Sequence, residues 1–210
     1  MKLTVFGATG GVGREIVRQA LDAGHEVTAV VRDPARFTVT GPRLEVFRSD
    51  LSDPEALRPA VAGRDAILSG LGARRLADAG VATRLTRSVL RAMEAAGTRR
   101  LLVVSAAPVG PPPERQSLAD KAVVAAVSAT LRKIYDDLRE MEAELAASGT
   151  DWTSVRPPRL TDQPVTGHYR RVVGGTPAKG RTIARADVAH AMLAMADDPA
   201  TVRQGVGIAY

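Results

Sequence analysis

The sequence predicts an α/β fold built on a doubly wound, mostly parallel sheet. Short runs of β-branched residues alternate with segments of helical periodicity as far as Val155, and a glycine-rich stretch separates the first run from the first helical segment. Strand–helix–strand units make parallel neighbours because their crossovers are right-handed. At 210 residues, we expect one domain over 1–210.

The first half of the chain supplies most of the predicted elements. The predicted strands are residues 3–6, 27–31, 44–47, 66–68 and 101–104. A helix follows the glycine-rich stretch and stops near Gly24, a plausible left-handed cap. Asp53 and Pro54 open a second helix as N-cap and first helical residue. A third carries an apolar stripe over 81–93 and ends at Gly97.

The second half is less regular. Apolar residues spaced by three and four over 131–145 predict a long helix, and residues 152–155 predict a sixth strand. Residues 156–181 contain prolines, glycines and few apolar residues, so we expect mostly loop, with a substrate-side region at about 157–181. A helix at 187–196 and a strand at 206–209 follow.

Composition excludes several classes of site. The chain has no cysteine, which excludes disulfides, thiolate zinc sites, iron–sulfur clusters and a cysteine nucleophile. Its histidines are scattered, so we expect no metal site. The net charge is +6 and aromatic residues are 3%, a balance that fits nucleic acid, a membrane surface or a phosphorylated small molecule. No stretch looks like a signal peptide or membrane span, so we expect a cytoplasmic protein.

The strongest motif is Gly7-Ala8-Thr9-Gly10-Gly11-Val12-Gly13, between the first strand and the first helix. In a dinucleotide site the first glycine allows a tight turn, the second admits the pyrophosphate, and the third lets helix and strand pack closely. The helix N-terminus then attracts the phosphate charge. The alternative is a purely structural glycine turn. The candidate cofactor-binding residues here are Gly7, Thr9, Gly10, Gly11, Val12 and Gly13.

The end of the second strand indicates which cofactor is bound. An acidic residue at this point hydrogen-bonds the ribose of NAD, whereas an arginine accommodates the 2′-phosphate of NADP. Arg32 therefore favours NADP(H), with Arg36 as a possible second contact. The alternative is that Asp33 takes the ribose and Arg32 faces solvent.

The spacing Gly7-x-x-Gly10-x-x-Gly13 resembles the atypical short-chain dehydrogenase/reductase superfamily, in its NmrA-like NAD(P)H-binding branch. Blocks near 103–106, 151–158 and 185–189 extend the likeness along the whole chain. The resemblance implies a Rossmann-like, three-layer α/β/α fold. It also implies further cofactor-binding positions, which are Asp50, Leu51, Gly70, Leu71, Gly72, Ser105 and Pro157.

Within that branch, residues 136–149 and the compact size resemble the biliverdin reductase B/flavin reductase group. This similarity implies NADPH-dependent hydride transfer to a flat acceptor such as a flavin or quinone. Two departures are visible. Glu142 stands where the group carries a histidine, and Tyr135-x-x-x-Arg139 replaces the superfamily's Tyr-x-x-x-Lys pair. Arginine cannot relay a proton as lysine does because it does not deprotonate.

Three residues are catalytic candidates. Ser105 follows a central strand, where open α/β sheets place their sites, and its hydroxyl could orient an acceptor or simply bind backbone. Tyr135 could donate a proton or pack in the core. Glu142 could face the cleft or pair with Arg139.

Three hypotheses of function remain open at this stage. The first is an NADPH-dependent reductase, monomeric or weakly dimeric, acting on a small-molecule acceptor. The second is a non-catalytic NADP(H)-sensing regulator, and the third is an epimerase-like enzyme acting on a metabolite. Arginines on the 81–96 helix and at 74, 75, 99 and 100 could form a nucleic-acid patch, but no recognition motif accompanies them, so we expect no nucleic-acid partner.

Overall fold

The computed structural model describes residues 1–72, 78–113 and 129–210. Arg74 and Arg75 lie outside the described residues. The strands are β1 Lys2–Phe6, β2 Glu26–Val31, β3 Leu44–Arg48, β4 Ala66–Ser69, β5 Arg100–Val104, β6 Asp151–Arg156, β7 Arg159–Thr161, β8 Arg170–Val173, β9 Thr182–Ala184 and β10 Gln204–Ala209. The helices are α1 Gly11–Asp22, α2 Pro54–Val61, α3 Val81–Ala96, α4 Arg132–Ala147 and α5 Arg185–Ala194.

The main sheet confirms the predicted fold class. It has eight strands in the order β3-β2-β1-β4-β5-β6-β10-β8, and every pairing is parallel except that of β8 with β10. A second sheet pairs β7 with β9 in parallel. The chain leaves β1 toward one edge through β2 and β3, then returns to place β4 on the other side of β1.

Two apolar layers flank the sheet because successive residues of a strand face opposite sides. In β1, Leu3 and Val5 pack with Ile16 of α1 and Met192 of α5 on one side. Phe6 faces the other side, in a cluster that also takes its residues from α2, α3 and α4. The result is the three-layer α/β/α arrangement that the resemblance implies.

The last third of the chain contains three short strands that hydrophobic patterning does not predict. β7 and β8 lie within the segment expected to be mostly loop, and β9 follows it directly. All four residues of β8 are exposed at the edge of the sheet, so no alternation of apolar and polar residues marks the strand. Backbone pairing with β10 alone defines it.

A buried carboxylate joins α3 and α4, two of the three helices on one face of the sheet. Asp137 of α4 is 5% exposed and accepts hydrogen bonds from the backbone N–H groups of Ala82 (3.1 Å) and Thr83 (3.0 Å). The Thr83 hydroxyl donates to the same carboxylate at 2.7 Å. Because Gly80 offers no side-chain cap, Asp137 caps α3 from another helix.

Replacing Asp137 by alanine should therefore destabilise the protein. Loss of the cap leaves buried N–H groups without a partner, and we expect the free energy of unfolding to fall by about 2 kcal/mol. Urea unfolding of Asp137→Ala, compared with that of Asp136→Ala, measures the effect. Asp136 is the neighbouring carboxylate and is exposed. Equal stability of the two variants would contradict the capping role.

Within the described parts of the chain, no helix combines the length and apolar character needed to cross a membrane.

Candidate cofactor and acceptor site

The residues predicted to bind the cofactor meet at one edge of the sheet. Strands β1 to β6 are parallel, so their carboxyl ends share an edge, and the strand order reverses between β1 and β4. Open α/β sheets bind ligands at such a switch point. The glycine-rich loop follows β1 and Gly70 follows β4, so the two loops flank this point from both sides.

The glycines of the loop are needed because backbone packs against backbone. Gly7 has a φ of +70°, and a Cβ on it would lie 2.8 Å from the carbonyl carbon of Gly70. A Cβ on Gly13 would overlap the carbonyl oxygen of Gly7, which already accepts a 2.8 Å hydrogen bond from the N–H of Gly10. These contacts hold the loop, the start of α1 and the β4 loop together without side chains.

The N-terminus of α1 is open to an anion. Its N-cap, Gly10, has no side chain to cap the helix, and the first turn contains no acidic residue. The first N–H groups of a helix lack intrahelical partners, and the helix dipole adds positive potential there. The loop can therefore hold a pyrophosphate, with Val12 and Gly13 buried behind it.

A cavity of about 430 Å³ lies beside this loop, lined by Thr9, Arg32, Asp33 and Arg36. Arg32 and Arg36 are both exposed, and neither guanidinium has an ion-pair or hydrogen-bond partner within the described residues. Two unpaired arginines suit a phosphate group, because a guanidinium donates several hydrogen bonds in fork geometry.

Asp33 uses its carboxylate within its own turn. Its side chain accepts a 3.1 Å hydrogen bond from the N–H of Ala35 and caps the short 3-10 turn Pro34–Arg36. This hydrogen bond engages one of the two carboxylate oxygens and leaves the other able to accept a further hydrogen bond. Both residues that the sequence left as alternatives, Arg32 and Asp33, line the cavity.

Residues 50–52, which follow β3, form a tight turn at the same edge of the sheet as the cavity. Asp50 accepts hydrogen bonds from the N–H (2.9 Å) and hydroxyl (2.6 Å) of Ser52, and these lower the pKa of Asp50. Leu51 is buried and has a φ of +67°, which non-glycine residues rarely adopt. Such strain persists where surrounding structure requires it, often at ligand sites.

The segment after β4 continues along the same edge of the sheet. The N–H of Gly70 donates to the carbonyl of Phe6 at 3.0 Å, which extends the β1–β4 pairing into the loop. Leu71 is half-buried and Gly72 is exposed. These positions lie beside the glycine-rich loop, as expected for a segment that borders the cofactor.

Ser105 and Pro157 lie where β5 and β6 end. The N–H of Ser105 donates to Val155 at 2.8 Å, and the carbonyl of Pro157 accepts from Ala107 at 2.8 Å. The Ser105 side chain is buried, and its Oγ has no hydrogen bond of normal geometry within the described structure. A buried hydroxyl without a partner is costly, so a ligand group at this point would be favoured.

Glu142 forms a buried ion pair beside Ser105. Arg156 donates from Nε (3.0 Å) and from its terminal nitrogen (2.5 Å) to the two carboxylate oxygens, and Ser154 donates at 2.6 Å. The side chains of Glu142 and Arg156 are 12% and 13% exposed. Burial alone would raise the pKa of Glu142, but the hydrogen bonds from Arg156 and Ser154, with a smaller contribution from the nearby Ser105 hydroxyl, outweigh it and lower that pKa.

The remaining catalytic candidate, Tyr135, is part of the apolar cluster on the α4 side. It is 8% exposed, and burial raises the pKa of its phenol. The predicted alternative of a Glu142–Arg139 pair is not formed, because Arg139 pairs with Asp136 at 2.8 Å. The structure thus brings Ser105 and Glu142 together, and it places Tyr135 on the same helix as Glu142.

One residue near the glycine-rich loop has no predicted cofactor role. Arg185, the first residue of α5, lies with its Cδ 2.5 Å from where a Cβ on Gly11 would stand. Its guanidinium pairs with Asp162 at 2.6 Å. The sequence signal is Gly11 itself, a glycine outside the Gly-x-x-Gly-x-x-Gly spacing with an ordinary φ.

Several other polar residues are engaged elsewhere. Arg87 pairs with Glu140 and Glu144 of α4, and Arg99 pairs with Asp151. The Tyr169 hydroxyl is 2.9 Å from Nδ1 of His190. Three or more potential ligands for a metal ion do not come together anywhere in residues 1–72, 78–113 and 129–210.

Comparison with known proteins identifies the family. A family model described as NAD(P)H-binding matches residues 7–199, which is almost the whole chain and includes the glycine-rich loop. The chain belongs to this NAD(P)H-binding family. Membership confirms the predicted resemblance and the prediction of a nicotinamide dinucleotide as cofactor.

Members and neighbours of the family differ in what they do. The chain is 33% identical over 155 residues to a Streptomyces griseus protein named (4-alkanoyl-5-oxo-2,5-dihydrofuran-3-yl)methyl phosphate reductase, covering 74% of this chain and 46% of that protein. It is 42% identical over 84 residues to the photosystem II assembly factor Ycf39 of Cyanophora paradoxa, covering 39% and 26%. The alignments therefore span less than half of either relative.

A solved structure shares the fold over its whole length. A Streptococcus pneumoniae protein, provisionally described as an NADH-flavin reductase, superposes with a TM-score of 0.81 at 23% identity. The match covers 100% of this chain and 99% of that one. At 23% identity this similarity shows the fold alone.

Proposed function

We propose that this member of the family is an NADPH-dependent reductase that passes hydride to a small planar acceptor, flavin- or quinone-like. The observation that carries the choice of NADPH is the cavity beside the glycine-rich loop. Arg32 and Arg36 line it, and neither guanidinium has an ion-pair or hydrogen-bond partner among the described residues. A 2′-phosphate in this cavity would satisfy both guanidinium groups.

We call Ser105, Tyr135 and Glu142 the acceptor end of the site, because they are the candidates to contact the acceptor. Their arrangement supports a reaction in which no side chain donates a proton. A bound reduced nicotinamide supplies a hydride. Glu142 is kept ionised by Arg156 and so has no proton to donate. Arginine stands at position 139, where the Tyr-x-x-x-Lys pair has its lysine. Flavins and quinones can be reduced without a side-chain proton donor, because the anions formed by hydride transfer take a proton from water.

One relative supports the same class of reaction. The Streptomyces griseus reductase is named for an unsaturated oxo-dihydrofuran, which is also a conjugated acceptor. Ser105 is our candidate to contact such an acceptor or the carboxamide of the nicotinamide, because it follows β5 at the same edge of the sheet and its Oγ makes no hydrogen bond of normal geometry within the described residues.

The cofactor part of the proposal is tested with Arg32→Ala. We expect the affinity for NADPH to fall between about tenfold and a hundredfold, while the affinity for NADH changes little. Fluorescence titration of both cofactors measures this. Arg18→Ala is the matched control, since it removes one exposed arginine from the far end of α1. Equal losses for NADPH and NADH would contradict a contact to the 2′-phosphate.

The acceptor part is tested by following NADPH oxidation with FMN, riboflavin and simple quinones. Turnover with at least one of them is expected, with the rate reduced in Ser105→Ala. A protein that binds NADPH but oxidises it with none of these acceptors would refute the reductase proposal.

One observation favours a second candidate, a non-catalytic NADP(H)-responsive regulator. The ion pair of Glu142 with Arg156 keeps Glu142 from donating a proton, and part of the chain is similar to an assembly factor. For this candidate we expect NADPH binding without turnover, together with a protein partner whose binding depends on NADPH.

A further inference from the structure

Gly11 is explained by a side chain, unlike the other glycines of the loop. A Cβ on Gly7 or Gly13 would meet backbone, and one on Gly10 would meet the Gly7 carbonyl at 3.1 Å. A Cβ on Gly11 would meet only Arg185, with Cδ at 2.5 Å and Nε at 2.9 Å. Gly11 therefore makes room for the stem of Arg185, which lies against the first turn of α1.

The charge of Arg185 is poorly placed unless an anion is present. The N-terminal end of α1 carries positive potential, and its first turn has no acidic residue to compensate. A cation held at this end of a helix is disfavoured, so it needs a negative partner. In this structure that partner is Asp162, whose side chain is 88% exposed.

We infer that Arg185 is a phosphate-binding residue for the dinucleotide, with Asp162 holding it when no dinucleotide is bound. A pyrophosphate at the glycine-rich loop would satisfy the helix N-terminus and the guanidinium together. Asp162 then competes with the cofactor for Arg185. This inference rests on the dinucleotide binding assumed in the proposed function and is independent of turnover.

The strand ends allow such an exchange of partners. Asp162 directly follows β7 and Arg185 directly follows β9, and these two strands pair in parallel. The Arg185 side chain is 31% exposed, so its guanidinium is accessible to a ligand. Asp162 lies in an exposed segment, so releasing it uncovers no apolar surface.

The first test is the affinity of Arg185→Ala for NADPH, NADH and adenosine 2′-monophosphate, measured by titration calorimetry or competition. Both dinucleotides carry the pyrophosphate, so we expect both affinities to fall by a similar factor, between about tenfold and a hundredfold. Adenosine 2′-monophosphate lacks that group and should bind as well as before. Arg171→Ala, which breaks a comparable exposed pair with Asp198, is the control.

The second test is a variant that should strengthen dinucleotide binding, whereas the first should weaken it. Asp162→Asn removes the competitor and should strengthen binding of both dinucleotides, by about twofold to fivefold as expected for an exposed ion pair. A merely structural pair would give unchanged or weaker binding. A third variant, Gly11→Ala, should weaken binding in the wild-type background and have little further effect in Arg185→Ala, because it acts by displacing Arg185.

The outcomes separate the two proposals. Dinucleotide affinity within twofold of wild type in Arg185→Ala, or unchanged or weaker binding in Asp162→Asn, overturns the inference and leaves the reductase proposal standing. Loss of affinity in Arg185→Ala, together with a wild-type protein that binds NADPH but oxidises it with no acceptor, supports the inference and refutes the reductase. A wild-type protein that binds neither dinucleotide refutes both.

Discussion

Replacing Gly13 by alanine should destabilise the protein and abolish dinucleotide binding. The added Cβ would overlap the carbonyl oxygen of Gly7, and it has no flexible side chain to push aside because both Gly7 and Ala8 approach with backbone atoms. The loop, the start of α1 or β1 must shift. We expect the free energy of unfolding to fall by about 2 kcal/mol, as is typical of overpacking.

Urea unfolding and NADPH titration of Gly13→Ala measure the two effects. Gly149→Ala is the matched control, since a Cβ there meets no atom within 4 Å and Gly149 does not have a positive φ. It should leave both stability and binding close to wild type. Wild-type NADPH affinity in Gly13→Ala would show that the close packing of the loop does not form the cofactor site.

Removing Arg156 should have the largest effect on stability at neutral pH. Arg156→Ala leaves the Glu142 carboxylate buried without its cation, and breaking a buried pair from one side costs about 3 kcal/mol or more. Arg139→Ala, which breaks an exposed pair with Asp136, should cost less than about 1 kcal/mol.

The loss of stability in Arg156→Ala should depend on pH in a defined direction. In the wild type the pKa of Glu142 is lowered from its ordinary 4.5, so its contribution to stability is complete above that value and is lost as pH falls through the lowered pKa. In Arg156→Ala burial no longer meets an opposing cation, and the pKa of Glu142 should rise. The stability gap between the two proteins should therefore be widest near neutral pH and narrow in acid. A gap that is constant with pH would contradict the ion-pair explanation.

The sequence could propose the cofactor end of the candidate site because that end depends on local features. Gly7, Gly10 and Gly13 are separated by fixed spacing within one loop, and Arg32 follows the next strand directly. The parallel order of strands then brings these loops to one edge without further information. The choice between Arg32 and Asp33 was left open by the sequence, and the proposal of Arg32 rests on the two arginines that line the cavity.

The acceptor end was less predictable because its contacts join residues that are distant along the chain. Glu142 had two expected roles, and neither included Arg156, which lies on another element 14 residues away. The contact between Gly11 and Arg185 joins the first helix to the last, and no spacing rule connects them. β7 and β8 escaped prediction since β8 has no buried face.

The sequence by itself determined the alternation of strands and helices, the glycine-rich loop and the arginine that follows β2, because each is written in neighbouring residues. Only the tertiary structure decided which charges are paired. It joined Arg156 to Glu142 and Arg185 to Asp162, and it left Arg32 and Arg36 facing a cavity. The physical reason is that an ion pair depends on distance in space, which the order of residues does not specify.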